Sequence, residues 1–188
     1  MKRFGVALLA AALLSGASAP AASSAAPVAV ESQDAYKLIG DVRRAINRLP
    51  YYGVFDSLSY SIDKAGVVTL YGATRTYVVH NSAIAAVKNL PGVTRVEDKI
   101  EVLPLSPFDD DIRARAYNAI FAYPALNRYA WNPQPSVRII VNRGNVTVAG
   151  VVADEFDRNL IEMRLRSVGG TFSVKNELRL DSDTDREL

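Results

Sequence analysis

The chain has 188 residues, 49% of them hydrophobic and 22% charged, a composition that argues against disorder and suits one ordinary domain or two small ones. Its 22 basic and 20 acidic residues give a formal charge of +2. Having no cysteine, it excludes disulfides, zinc-thiolate sites, cysteine nucleophiles and a lipid-modified N-terminal cysteine.

The chain opens with a basic "MKR", an apolar run "FGVALLAAALL" and a small-residue stretch "SGASAPAASSAAP", the pattern of a secretory signal over residues 1–25. Pro20 disfavours cleavage after Ala17-Ser18-Ala19, so Ala21 or Ala25 is the expected site. The apolar run falls well short of the ~20 residues needed to span a bilayer. Export to the periplasm is the expectation, and loss of Lys2 and Arg3 would bring the charges into balance.

Leu38, Val42, Ala45, Ile46 and Leu49 then recur at helical spacing until Pro50, which predicts an amphipathic helix. Two β-rich runs follow, "SLSYSI" and "VVTLYG", joined by "DKAG" as a hairpin. Val79, Ala83, Ala86, Val87 and Leu90 mark a second helix that ends at Pro91-Gly92. A last strand alternates Val96, Ile100 and Val102 with Glu97, Lys99 and Glu101.

The same grammar then repeats. Ile112, Ala116, Ala119, Ile120 and Tyr123 form a helix stripe behind Asp109, Asp110 and Asp111, which are expected as capping and dipole partners. The hairpin is "SVRIIV", "NRG", "NVTVAG", and the second helix carries Phe156, Leu160, Ile161, Leu165 and Val168 before Gly169-Gly170. The last strand sets Phe172, Val174, Leu178 and Leu180 against Lys175, Glu177 and Arg179. "GVVTLYG" and "GNVTVAG" lie 78 residues apart, and Ile62 with Ile140, Gly92 with Gly170 and Asp98 with Asn176 share that offset. The first helices align at an offset of 74, so the second copy has an insertion in "ALNRYAWNPQPS". Gly66 and Gly144 are expected in turns of positive φ, and Gly72 and Gly150 where the chain bends or nears the following helix.

The expected fold is α+β: two tandem α-β-β-α-β units, each a three-stranded mixed sheet with two helices on one face, over 34–103 and 109–181, with an acidic tail at 182–188. At roughly 70 residues each unit is near the lower size limit for one unaided hydrophobic core.

The early helix, the two glycine-bracketed strands, and the endings "LPGVTRVEDKIEV" and "VGGTFSVKNELRL" together resemble the BON domain, found in bacterial osmotic-stress and outer-membrane-maintenance proteins. The resemblance covers nearly all of the chain after the leader. It implies a periplasmic protein with two BON domains that binds anionic phospholipid through the second, or serves in envelope stress. Three features depart from the pattern: Thr171 where the family usually has Val, unusually aromatic helix-to-strand loops, and no lipobox cysteine.

Catalytic parts are sparse: the single histidine, His80, reads as a surface helix residue, and no G-x-S-x-G motif occurs. The tail "DSDTDREL" lacks the central glycine of a calcium loop and reads as a solvated tail. No cofactor or metal is expected, and export disfavours nucleic acid. Asp98 and Asn176 share strand parity with apolar neighbours and need hydrogen-bond partners, most simply nearby backbone. The loops "LPYYGVFD" and "YPALNRYAWNPQP" carry Tyr51, Tyr52, Phe55, Tyr123, Tyr129 and the only tryptophan, Trp131. Arg128, Tyr129 and Trp131, with Arg113 and Arg115 on the adjacent helix, form a candidate lipid-binding set. The competing readings are that these aromatics cover small cores or join the two copies, and that the protein is a protein-binding or chaperone-like module for envelope proteins.

Overall fold

The computed structural model describes residues 26–131 and 135–184, with side chains over 34–131 and 135–182. The leader read at 1–25 and residues 185–188 of the acidic tail lie outside the described residues. Helix α1 (Ala26–Asn47) begins well before the predicted stripe, and Leu38, Val42, Ile46 and Leu49 bury the face that the spacing indicated. The hairpin β1 (Ser57–Ile62) and β2 (Val67–Thr74) leads to α2 (Tyr77–Lys88), whose N-cap Thr76 accepts a hydrogen bond from Val79 N, and then to β3 (Arg95–Val102). Strand β2 is central, antiparallel to β1 and parallel to β3. Val42, Val68, Leu70, Val79, Ala83 and Val87 meet between the helices and the sheet. Each large apolar side chain fully buried there contributes about 1.5–3 kcal/mol.

The second unit repeats this with α3 (Pro107–Phe121), β4 (Val137–Asn142), β5 (Asn145–Val152), α4 (Glu155–Arg166) and β6 (Ser173–Leu180), and its sheet order is β4-β5-β6. Ser106 caps α3 by accepting from Asp109 N, so the triple-Asp run is not the cap. Asp109 is fully buried, and its carboxylate accepts from Arg143 N and Gly144 N, clamping the β4–β5 turn onto the helix start. A final helical turn, Asp181–Thr184, begins the tail.

The two hairpins turn differently. The first passes through Lys64, Ala65 and Gly66, with Gly66 at φ 76, whereas the second needs only Arg143 at φ 51 and Gly144 at φ 76. That shorter turn shifts β4 by one position relative to the repeat. Val68 pairs with Ile62 and Val146 with Val141, so the counterpart of Ile62 is Val141 and not Ile140. The predicted role of Gly72 and Gly150 also changes. A Cβ on Gly72 would lie 2.1 Å from Ser57 O, and one on Gly150 would lie 1.9 Å from Ser136 O, so the close approach is to the preceding strand and not to the helix.

Three residues assigned to buried faces lie outside them. Phe156 and Phe172 are 70% and 75% exposed, and Tyr123 sits beyond the end of α3 while Phe121 takes the buried place. Phe156 belongs to the first turn of α4, beyond the sheet's cover, and Phe172 precedes β6, where the strand's alternation has not begun.

The units dock through the loop "YYGVFD". Val54 O accepts from Ile139 N at 2.8 Å and Gly53 O accepts from Arg138 Nη1 at 2.7 Å, so the loop covers the edge strand β4. The Arg138 guanidinium lies 4.5 Å from the Tyr52 ring centroid, and burial pushes its pKa down from the usual guanidinium range. Phe55 meets Tyr117 with ring centroids 6.3 Å apart, Asn142 Nδ2 donates to Glu101 Oε1, and Arg75 pairs with Asp110. The loop of the first copy therefore joins the copies, as one of the two readings of its aromatics held.

Candidate functional site

The inserted loop of the second unit becomes a 3-10 helix, Asn127–Ala130, framed by the fully buried Leu126 and by Trp131. Its packing follows from Tyr129, whose ring is only 8% exposed and belongs to the core of the second unit. Tyr129 OH donates to Asp157 and accepts from Ala153 N at 3.0 Å. Burial foremost, then the bond to Asp157, pushes the phenol's pKa up. In the first unit the corresponding backbone donor, Arg75 N, is met instead by the Asp56 carboxylate at 2.7 Å.

Arg128 lies over the Tyr129 ring at 5.1 Å and pairs with the buried Asp157, with Asp154 at 4.0 Å. Hydrogen bonds with Tyr129 and Asp157 raise its pKa and hold its charge within an acidic bracket at the start of α4. Trp131 is 77% exposed at this same end, and Phe156, adjacent to Asp157, points to solvent beside the start of α4. The geometry thus offers two exposed rings and a neutralised guanidinium.

The sequence-derived lipid set is not brought together as proposed. Arg113 is 3% exposed, donating to Val141 O at 2.6 Å and pairing with Asp110, so it is a strut between α3 and β4 and has no face for a membrane. Tyr129 is likewise enclosed, and its hydroxyl is spent inside the unit. Arg115 is exposed but lies against Gly170, by the β4–β5 turn, at the end of the unit opposite Trp131. Phe156 joins Trp131 in their place. Its equivalence to Val78, another exposed residue in the first turn of a second helix, was available from the 78-residue offset.

His80 corrects the reading of a plain surface residue: its Nε2 is 2.9 Å from Asp98 Oδ2, tying α2 to β3. Asn176 does the same in the second unit, donating to Arg158 O and Glu162 Oε2 while its Oδ1 accepts from Leu178 N. Both polar strand residues are therefore fasteners between helix and sheet. Among the described residues no helix is long and apolar enough to cross a membrane.

Comparison with solved structures finds low resemblance to two of CdsD, the structural protein of the Type III secretion system of Chlamydia trachomatis. The C-terminal domain is 14% identical with a TM-score of 0.33, covering 80% of this chain and 67% of that chain. The other is 12% identical with a TM-score of 0.31, covering 80% of this chain and 96% of that one. Scores this low carry neither fold nor function across. No curated protein matches the chain. A family model described as BON domain matches twice, at residues 38–104 and 109–182.

Proposed function

Because the chain belongs to the BON-domain family and holds two copies of its unit, we propose that it is a non-enzymatic, periplasmic binding protein that supports envelope integrity or stress tolerance. Its second unit meets an anionic phospholipid surface peripherally. The observation that carries this reading is the pair of rings, Trp131 and Phe156, standing free at one end of the second unit. The amphipathic indole of Trp131 gains by entering the headgroup zone of a bilayer, and the apolar Phe156 ring gains by leaving water beside it.

Since Arg128 is already engaged by Asp157 and Asp154, little long-range attraction comes from that end. Ring insertion therefore dominates, with the anionic headgroups adding a smaller share. The test is a titration of the purified protein with phosphatidylglycerol-containing and phosphatidylcholine vesicles, read by tryptophan emission and co-sedimentation. A blue shift with sedimentation in the native protein, with sedimentation lost in Trp131→Ala and both signals weakened in Phe156→Ala, supports the reading. An unshifted spectrum with protein left in the supernatant sinks it. A second reading, a module that receives a polypeptide, is favoured by an open cleft on the first unit.

A further inference from the structure

That cleft, of about 790 Å3, lies between the middle of α1, the β1–β2 turn and the Pro91-Gly92 bend. Its apolar lining is Leu38, Ile62, Ala65 and Pro91, of which Leu38 is buried. On the rim Asp34 and Asp63 stand with Lys37 and Lys64, while Asp41 is already paired with Arg44.

The second unit shows what fills this place when the chain fills it itself. By the 74-residue offset of the first helices, Asp34 and Asp41 correspond to Phe108 and Arg115; by the 78-residue offset of the later elements, Gly92 and Thr94 correspond to Gly170 and Phe172. Phe108 and Phe172 stand with centroids 6.0 Å apart. A Cβ on Gly170 would meet Arg115 Nη2 at 3.3 Å and the Phe108 ring at 3.4 Å, and one on Gly144 would run into the Phe172 ring at 2.6 Å. Around Gly92 the same test meets only Leu38, at 3.7 Å. Two rings and a guanidinium thus stand over the glycine in one unit where, among the described residues, only Leu38 approaches it in the other.

We propose that the cleft of the first unit is a docking site for an aromatic side chain flanked by lysine or arginine on a partner polypeptide. The partner's ring takes the place that Phe108 and Phe172 hold in the second unit, and its cation takes the place of Arg115, facing Asp34. Apolar contact supplies the affinity, and Asp34 favours a basic flank over an acidic one. The site is remote from Trp131, so it stands or falls apart from the membrane reading.

The experiment titrates the isotope-labelled full chain with three capped peptides, Ala-Lys-Phe-Lys-Ala, Ala-Glu-Phe-Glu-Ala and Ala-Lys-Ala-Lys-Ala, and follows amide shifts. The first peptide moves the amides of Leu38, Gly66 and Gly92 and gives NOEs from its ring to the Leu38 methyls, whereas the other two leave them in place. The double variant Asp34→Phe/Thr94→Phe installs the second unit's filler, and binding is lost. An absent response to the first peptide, an equal response to the acidic one, or undiminished binding by a folded filled variant overturns the proposal. If that variant fails to fold, the ring-to-Leu38 NOE in the native protein decides: its presence supports the site and its absence overturns it. Shifts of the same amides on concentrating the protein alone, with matching sedimentation, would show that a second copy is the occupant and overturn the partner assignment.

Discussion

Gly150 and Gly169 are both glycines of the second unit, yet they answer to different constraints. Gly150 has φ 123 and a neighbouring carbonyl where its Cβ would be, while nothing lies within 4 Å of a Cβ on Gly169. Gly150→Ala is expected to destabilise the protein by about 3 kcal/mol or more, because strain and a backbone clash act together. Gly169→Ala should change stability by under about 0.5 kcal/mol. Urea titrations of both variants check this, and equal midpoints would refute the distinction. Glu162 gives a pH prediction from the same scale. Hydrogen bonds from Asn176 and then Arg166 hold its carboxyl below the usual range. A folded pKa below the unfolded value stabilises above the unfolded value and is lost as pH falls through the folded one. The stability of the native protein relative to Glu162→Gln should therefore shrink below about pH 4. A difference that stays constant from neutral to acid pH would remove Glu162 from the account of acid sensitivity.

The elements are built alike in the two copies and differ where they are joined. Loop 51–56 ends α1 and immediately becomes a cover for β4, whereas the longer loop of the second unit folds back as a 3-10 helix and seals its own core with Leu126 and Tyr129. Phe55 is the largest side chain that the first loop lends to the second core, and it begins a run of rings through Tyr117 to Phe121, the latter two with centroids 4.8 Å apart. Phe55→Ala is expected to cost roughly 2–3 kcal/mol, toward the low end of buried Phe truncations because the residue is only partly enclosed. Calorimetry is the check: the single melting transition of the docked pair should broaden or split in the variant. An unaltered sharp transition would show that the loop's backbone bonds suffice to couple the units.

At the scale of the whole molecule, the docked pair removes a hazard that the second unit alone would carry. Strand β4 is an edge, and its Ile139 N finds Val54 O of the other unit. The second unit expressed alone from Ser106 exposes that donor together with Tyr117, so it should be less stable than in the full chain and should self-associate. Sedimentation velocity decides, and a stable monomer at high concentration would show that the edge needs no cover. The same asymmetry divides the surface: the second unit exposes Trp131 and Phe156 at one end and clusters Phe108 with Phe172 at the other, whereas the described residues of the first leave a cleft at the matching place.

Periodicity alone was enough for the fold class, the duplication, the order of the elements and most of the core, because helical and strand spacings are local properties that burial then enforces. The offset of 78 identified β2 with β5 and Asp98 with Asn176, yet it misplaced Ile62 because a one-residue difference in a turn is invisible until strands are paired. Residue type likewise named the aromatic loops without telling which way they face. Arg113 and Tyr129 were legible as basic and aromatic, but only packing put them inside, and only the tertiary structure set Arg115 against Gly170. Which side chain is wet and which element covers an edge depend on residues distant in the chain. Those relations are set by the three-dimensional arrangement of surfaces, and no local pattern encodes them.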